Sequence, residues 1–186
     1  CDPTGPDLGG AAVPALSQYH GRPVTVVRST FTKRVCSNGA ALSSIGVSWV
    51  VLNSIFSYNS AVGRGANPAR AGTPGGGSGG AIYLDGNTFT LHVAGCVIEH
   101  NHAREGGGAI FFVSNDASGE LGIEDSELAA NPSLGFETPG LPGIFLLGDA
   151  APQISGSVIT APEPGPALGR EVELDLAGGS IAGQRR

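Results

Sequence analysis

The apolar residues of this chain fall in short runs between glycines and small polar residues, and within each run they alternate with other residues. The runs come into register when the chain is aligned on one small residue: Ser29, Ser54, Cys96, Ser126 and Ser157, with Gly179 a weaker sixth member. Five residues upstream stand Val24, Trp49, Leu91, Leu121, Pro152 and Leu174, and three upstream stand Val26, Val51, Val93, Ile123, Ile154 and Leu176. Two residues downstream come Phe31, Phe56, Ile98, Leu128, Ile159 and Ile181. A period of two is that of a strand with one face buried, so each repeat opens with two short strands. The residue before the small one is Asn53, Gly95, Asp125, Gly156 or Gly178, with Arg28 the exception. Asn, Asp and Gly tolerate positive φ, which predicts a one-residue left-handed bend between the strands.

Three residues past the Phe/Ile/Leu column stand Asn59, Asn101 and Asn131, where stacked side-chain amides can bond backbone groups and one another. A third strand follows, introduced by Gly10-Ala11-Ala12-Val13, Gly39-Ala40-Ala41-Leu42, Gly79-Gly80-Ala81-Ile82, Gly107-Gly108-Ala109-Ile110 and a degraded Leu141-Pro142-Gly143-Ile144. Gly80 and Gly108 read as structural positions that let one coil turn tightly against its neighbour. Three strands per coil, coils of 22 to 42 residues and no helical periodicity predict an all-β, single-stranded right-handed parallel β-helix of about five to six coils. An antiparallel sandwich has no reason to repeat the whole word in fixed order. Residues 1–186 form one domain on this reading, with clear repeats over 9–160 and a degraded final coil over 161–186.

The words Phe56-Ser57-Tyr58-Asn59 with Gly79-Gly80-Ala81-Ile82, and Ile98-Glu99-His100-Asn101 with Gly107-Gly108-Ala109-Ile110, resemble the FxxN and GGA[ILV] repeats of chlamydial-type polymorphic outer-membrane proteins. Many secreted bacterial right-handed β-helix repeat proteins share these words. The resemblance covers about residues 9 to 160 and implies a secreted or surface location in a bacterium. It implies little about activity, since such proteins include adhesins, surface stalks and polysaccharide-degrading enzymes. Within these 186 residues no segment resembles the membrane barrel of autotransporters, so an outer-membrane anchor of that kind is not expected.

Composition narrows this further. Glycine, at 31 of 186 residues, would suggest disorder if apolar residues were scarce, but here it punctuates strands. Residues 1–110 carry seven basic and five acidic side chains, and 111–186 carry three and eleven. The acidic C-terminal half argues against nucleic acid as a partner, and no apolar run is long enough to span a bilayer. Cys1 and Cys36 precede the same Gly-Ala element in successive coils, which makes them a candidate disulfide and would place the protein in an oxidising compartment; all three cysteines reduced is the alternative. A chain opening Cys1-Asp2 also admits a lipid anchor at Cys1.

Candidate chemistry lies on outward side chains and loops. With Ile82, Ile110 and Ile144 inward, Tyr83, Phe111 and Phe145 form an outward aromatic ladder suited to a sugar, unless the loop 60–78 covers them or the phase is inverted. Asp85, Asp116 and Asp149 each follow the third strand of a coil and are expected along one edge, with Arg70 or Arg104 as base and Glu105 or His102 nearby. This is the arrangement that a polysaccharide lyase or glycoside hydrolase acting on the third sheet would need, a lyase also holding Ca²⁺; otherwise no cofactor is expected. Turn-initiating Asp is the plainer explanation. His100 and His102 lack further ligands for a metal site. Val50, Leu52, Ile55 and Val97, with Val158, give an outward apolar face that points to a homo-oligomer or a covering segment. The first reading is a non-enzymatic extracellular or surface scaffold or adhesion module touching a polysaccharide or cell-surface partner; the alternative is the enzyme.

Overall fold

The computed structural model describes residues 11–65, 76–148 and 151–162. The first coil contains β1 (Val13–Ala15), β2 (Val24–Val27), β3 (Thr30–Thr32) and β4 (Val35–Cys36), with a short 3₁₀ turn, Tyr19–Gly21, after β1. The second contains β5 (Leu42–Ile45), β6 (Trp49–Leu52), β7 (Ile55–Ser57) and β8 (Ser60–Ala61). The third contains β9 (Ile82–Gly86), β10 (Thr90–Ala94), β11 (Val97–Glu99) and β12 (His102–Ala103). The fourth has β13 (Ile110–Ser114), β14 (Glu120–Glu124) and β15 (Glu127–Ala129), and the fifth has β16 (Ile144–Leu147), β17 (Gln153–Ser155) and β18 (Val158–Thr160).

These strands make four parallel sheets wound as a right-handed β-helix. The Gly-Ala sheet runs β1-β5-β9-β13-β16, the two bend sheets run β2-β6-β10-β14-β17 and β3-β7-β11-β15-β18, and a short sheet runs β4-β8-β12. The fourth sheet corrects the expectation of three strands per coil. Its strands are two residues long, too short for any period to show in the sequence, and they bury Cys36, Ala61 and Ala103 at the Asn corner. Ser133 extends this sheet through an isolated bridge to Ala103.

The pairing register follows the apolar columns: Val26 opposes Val51, Val51 opposes Val93, Val93 opposes Ile123, and Ile123 opposes Ile154. Phe31, Phe56, Ile98, Leu128 and Ile159 are stacked in the same way. They fill the interior with Leu42, Ile82, Leu84, Ile110, Phe112 and Ile144. Trp49 is fully buried at an inward position, and its indole N–H is satisfied by Ser44 Oγ at 2.8 Å, which explains a serine facing the core.

Two side-chain columns tie the coils together. Asn59, Asn101 and Asn131 are buried, and each carboxamide oxygen accepts from the preceding coil: Asn59 N and Nδ2 donate to Asn101 Oδ1 at 3.0 and 2.8 Å, and Asn101 N and Nδ2 donate to Asn131 Oδ1 at 3.0 and 2.9 Å. The amide nitrogens also reach the carbonyls of Phe31, Phe56 and Ile98. In the second column Ser29 N donates to Ser54 Oγ, Ser54 N to Cys96 Sγ, Cys96 N to Ser126 Oγ and Ser126 N to Ser157 Oγ. Among the described residues no buried side-chain nitrogen or oxygen lacks a partner.

The bend column has positive φ throughout: Asn53 at 48°, Gly95 at 63°, Asp125 at 44°, Gly156 at 58°, and Arg28 at 49° despite its unfavourable side chain. A second left-handed column, Lys33, Tyr58, His100 and Ala130, lies just before the Asn corner. Gly79 and Gly107 also have positive φ, whereas Gly80 and Gly108 do not. A Cβ at Gly80 would fall on the Gly108 carbonyl oxygen, and one at Gly108 would fall on that of Asn131, so close approach of successive coils excludes a side chain at both. The expected final coil over 161–186 lies outside the described residues apart from its first two positions.

Candidate functional site

The aromatic ladder has the expected phase. Ile82, Ile110 and Ile144 are inward and fully buried, and Tyr83, Phe111 and Phe145 occupy the outer face of the Gly-Ala sheet in register. Their rings stack on one another, Tyr83 to Phe111 with centroids 4.9 Å apart and Phe111 to Phe145 5.2 Å apart. The ladder is not an open platform, because Tyr83 and Phe111 are only 6% and 9% exposed. Phe136 packs edge-on against Phe145 at 4.7 Å and against Phe111 at 6.4 Å, closing a second apolar cluster that includes Val113. Phe111 has both ring faces occupied, by Tyr83 on one side and Phe145 on the other, so it offers no face to a sugar.

Over Phe111 and Phe145 the cover comes from the shorter insertion. Gly135 N and Phe136 N both donate to the Glu105 carbonyl, at 2.8 and 3.0 Å, and Leu134 N donates to that of Ala103. Gly106 lies against the Phe136 ring, where any Cβ would overlap it. Glu137 Oε2 accepts from Gly143 N at 2.8 Å, which pins the far end of the insertion. Residues 66–75 of the longer insertion, including Arg70, lie outside the described residues; where it leaves the coil, Gly65 N donates to Glu105 Oε1 at 2.6 Å.

Asp85 and Asp116 do not occupy equivalent positions in successive coils. Asp85 lies within β9 and opposes Val113, not Asp116. Its Oδ1 accepts from Gly86 N at 2.6 Å and Asn115 Nδ2 at 3.0 Å, and its Oδ2 from the Tyr83 hydroxyl at 3.2 Å. Asp116 lies beyond β13 in the turn to β14, where it accepts from Ser118 Oγ at 2.7 Å, Ser118 N at 3.2 Å, Ser114 Oγ at 3.1 Å and Thr88 Oγ1 at 3.2 Å. The Ser118 hydroxyl and amide hold its carboxyl below the ordinary carboxylate value, with Ser114 and Thr88 adding to the effect. Both acids are therefore engaged in turn and strand hydrogen bonds, and Asp149 lies outside the described residues.

Arg104 follows β12 and is exposed, on the short-sheet side of the coil. Its charge adds to burial in keeping the half-buried His102 below the usual imidazole value. His100 has positive φ and stacks on the exposed ring of Tyr58 at 5.0 Å. No three His, Cys, Asp or Glu side chains come together in metal-binding range among the described residues.

Cys36 is disulfide-bonded, Cys96 is free and buried in the serine column, and Cys1 lies outside the described residues. Burial pushes the Cys96 thiol up from its ordinary value. Val50, Leu52 and Val97 are half-buried, and Ile55 and Val158 exposed, on the outer faces of the bend sheets. No helix of the described residues is long and apolar enough to cross a membrane. Compared with protein-family models, curated proteins and solved structures, the chain has no match.

Sequence reasoning missed the second left-handed column, the fourth sheet and the Phe136 cover. The only signal for the last was an apolar ring in an insertion otherwise rich in Pro, Gly and polar residues.

Proposed function

We propose that this protein is a non-enzymatic scaffold or adhesion module of an extracellular or cell-surface setting, meeting polysaccharide or protein partners through outward side chains. The observation that carries the reading is the use made of the repeated polar residues: the Asn and Ser columns are turned into the coils and bonded from coil to coil. What the sequence repeats is thus the means of stacking, and the side chains free to vary are the outward ones. The disulfide at Cys36 supports an oxidising compartment. Tyr58, more than half exposed and braced by His100, is a ring available to a sugar where the covered ladder is not.

Incubation with acidic and neutral polysaccharides, with and without Ca²⁺, tests this reading through unsaturated products and new reducing ends. No turnover is expected. Turnover that Asp85→Asn or Asp116→Asn abolishes would establish the enzyme instead.

A further inference from the structure

We propose that copies of this chain stack end to end, the first coil of one on the fifth coil of the next, so that the two bend sheets continue across the joint. Sheet order leaves β2 and β3 terminal at one end and β17 and β18 terminal at the other, with their outer edges unpaired among the described residues. In a parallel ladder, alternate residues present both N–H and C=O to the same side. Ile55 N donates to the Ser29 carbonyl and Lys33 N to that of Ser57, so the backbone groups of Thr30 and Thr32 point away from the molecule. At the far end Val158 N donates to the Ser126 carbonyl and Ala130 N to that of Thr160, which leaves the groups of Ile159 pointing outward. The two edges are parallel and complementary in donors and acceptors, and β3 and β18 are each three residues long.

The serine column runs through the same joint. Each N–H in it donates to the side chain of the next coil, ending at Ser126 N to Ser157 Oγ. Ser157 N therefore faces outward at one end, and Ser29 Oγ, which donates only to its own Val27 carbonyl, presents its acceptor lone pairs at the other. Placing Ser29 of a second copy over Ser157 repeats the Ser126–Ser157 step. Val24 and Phe31 at one end of the core and Ile154 at the other are only partly buried, and stacking would cover them.

Charge supports the same direction of assembly. Residues 11–37 contain Arg22, Arg28, Lys33 and Arg34 and no acid, whereas the described fifth-coil strands are uncharged and the fourth coil just behind them carries Asp116, Glu120, Glu124, Asp125 and Glu127 with no Lys or Arg. Neither β2 and β3 nor β17 and β18 carries a charged residue or proline within the strand, the devices by which exposed edges are usually kept from pairing. A second copy fits both the strand chemistry and the polarity.

Sedimentation velocity of the full chain over a concentration series, at low and high salt, tests the proposal. Species larger than a dimer are expected to grow with concentration and shrink at high salt, because a head-to-tail contact does not close. Thr30→Pro removes an outward N–H without breaking a bond inside the chain, and is expected to raise the concentration for half-association more than about tenfold. The double reversal Arg28→Glu, Lys33→Glu, which leaves the edge backbone intact, is expected to act in the same direction, and Ile55→Lys on the lateral face to have no effect. A chain that stays monomeric at every concentration, as it would if residues 163–186 covered the edge, overturns the proposal. So does association that stops at a dimer, or that Ile55→Lys abolishes and Thr30→Pro leaves intact.

Discussion

The carboxamide of Asn101 donates to Oδ1 of Asn131, one coil further on, at 2.9 Å, and the same nitrogen donates to the Phe56 carbonyl one coil back, also at 2.9 Å. One buried side chain thus spans three coils, and its own oxygen receives two hydrogen bonds from Asn59. Asn101→Ala would leave the Asn59 backbone N–H without its acceptor and remove the side-chain bonds to Asn59 Nδ2, the Phe56 carbonyl and Asn131 Oδ1 in a site closed to water, while the Asn101 backbone N–H to Asn131 Oδ1 and Asn59 Nδ2 to the Phe31 carbonyl remain. A loss of about 2–4 kcal/mol is expected, from denaturant unfolding compared with the wild type.

Gly108 and Gly122 separate close approach from open space. Gly108→Ala would drive a methyl into the Asn131 carbonyl and is expected to cost about 3 kcal/mol or more. At Gly122 the nearest atom to an added methyl is His92 Nδ1 at 3.4 Å, and its φ is not positive, so Gly122→Ala is expected to change stability by no more than about 0.5 kcal/mol. Thermal unfolding of the two variants side by side checks the contrast.

Phe136→Ala removes the ring that closes the outer aromatic cluster. Phe136 is only partly buried, so a loss of about 1–3 kcal/mol is expected, with newly exposed Phe111 and Phe145 raising the binding of a hydrophobic dye to the folded protein. Unchanged stability and dye binding would show that the cover does not bear on the cluster.

Asp116 gives the acid limb a definite sign. Its folded carboxyl titrates below the ordinary value of 3.8, so its contribution is present above that value and disappears as pH falls through the folded one. The stability gap between wild type and Asp116→Asn is expected to be constant at neutral pH and to narrow below about pH 4. Cys96 has the opposite sign: its thiol titrates above the ordinary 9.0, so the associated stability is full below that value and is lost as pH rises through the folded one. Cys96→Ser keeps a bonding atom in the column and is expected to flatten the alkaline limb; melting curves across pH check both.

Much of the fold was legible because a stacked coil repeats its requirements. Asn53, Gly95, Asp125 and Gly156 mark the first bend by residue type, and Asn59, Asn101 and Asn131 mark the corner. The second left-handed position was not legible, since Lys33, Tyr58 and Ala130 have no local preference for positive φ, His100 alone does not mark a column, and all four are bonded through their backbone N–H to a neighbouring coil. The relative placement of the candidate acids was not legible for a related reason. Asp85 and Asp116 sit near the ends of equivalent strands, but the pairing register sets Asp85 against Val113, and only that register decides which side chains share an edge. The aromatic ladder was legible in phase and not in exposure, because its cover comes from a residue outside the repeat.

The amide of Asn101 tests most directly whether side-chain columns hold the coils together. It lies outside any strand, and its hydrogen bond is to Asn131 Oδ1 at 3.0 Å. In hydrogen exchange of the native protein it is expected to be as protected as the central amides of β10, exchanging only on global unfolding, and to lose that protection in Asn131→Ala. Exchange at the rate of exposed turn amides in the wild type would contradict the ladder as the element that fixes one coil upon the next.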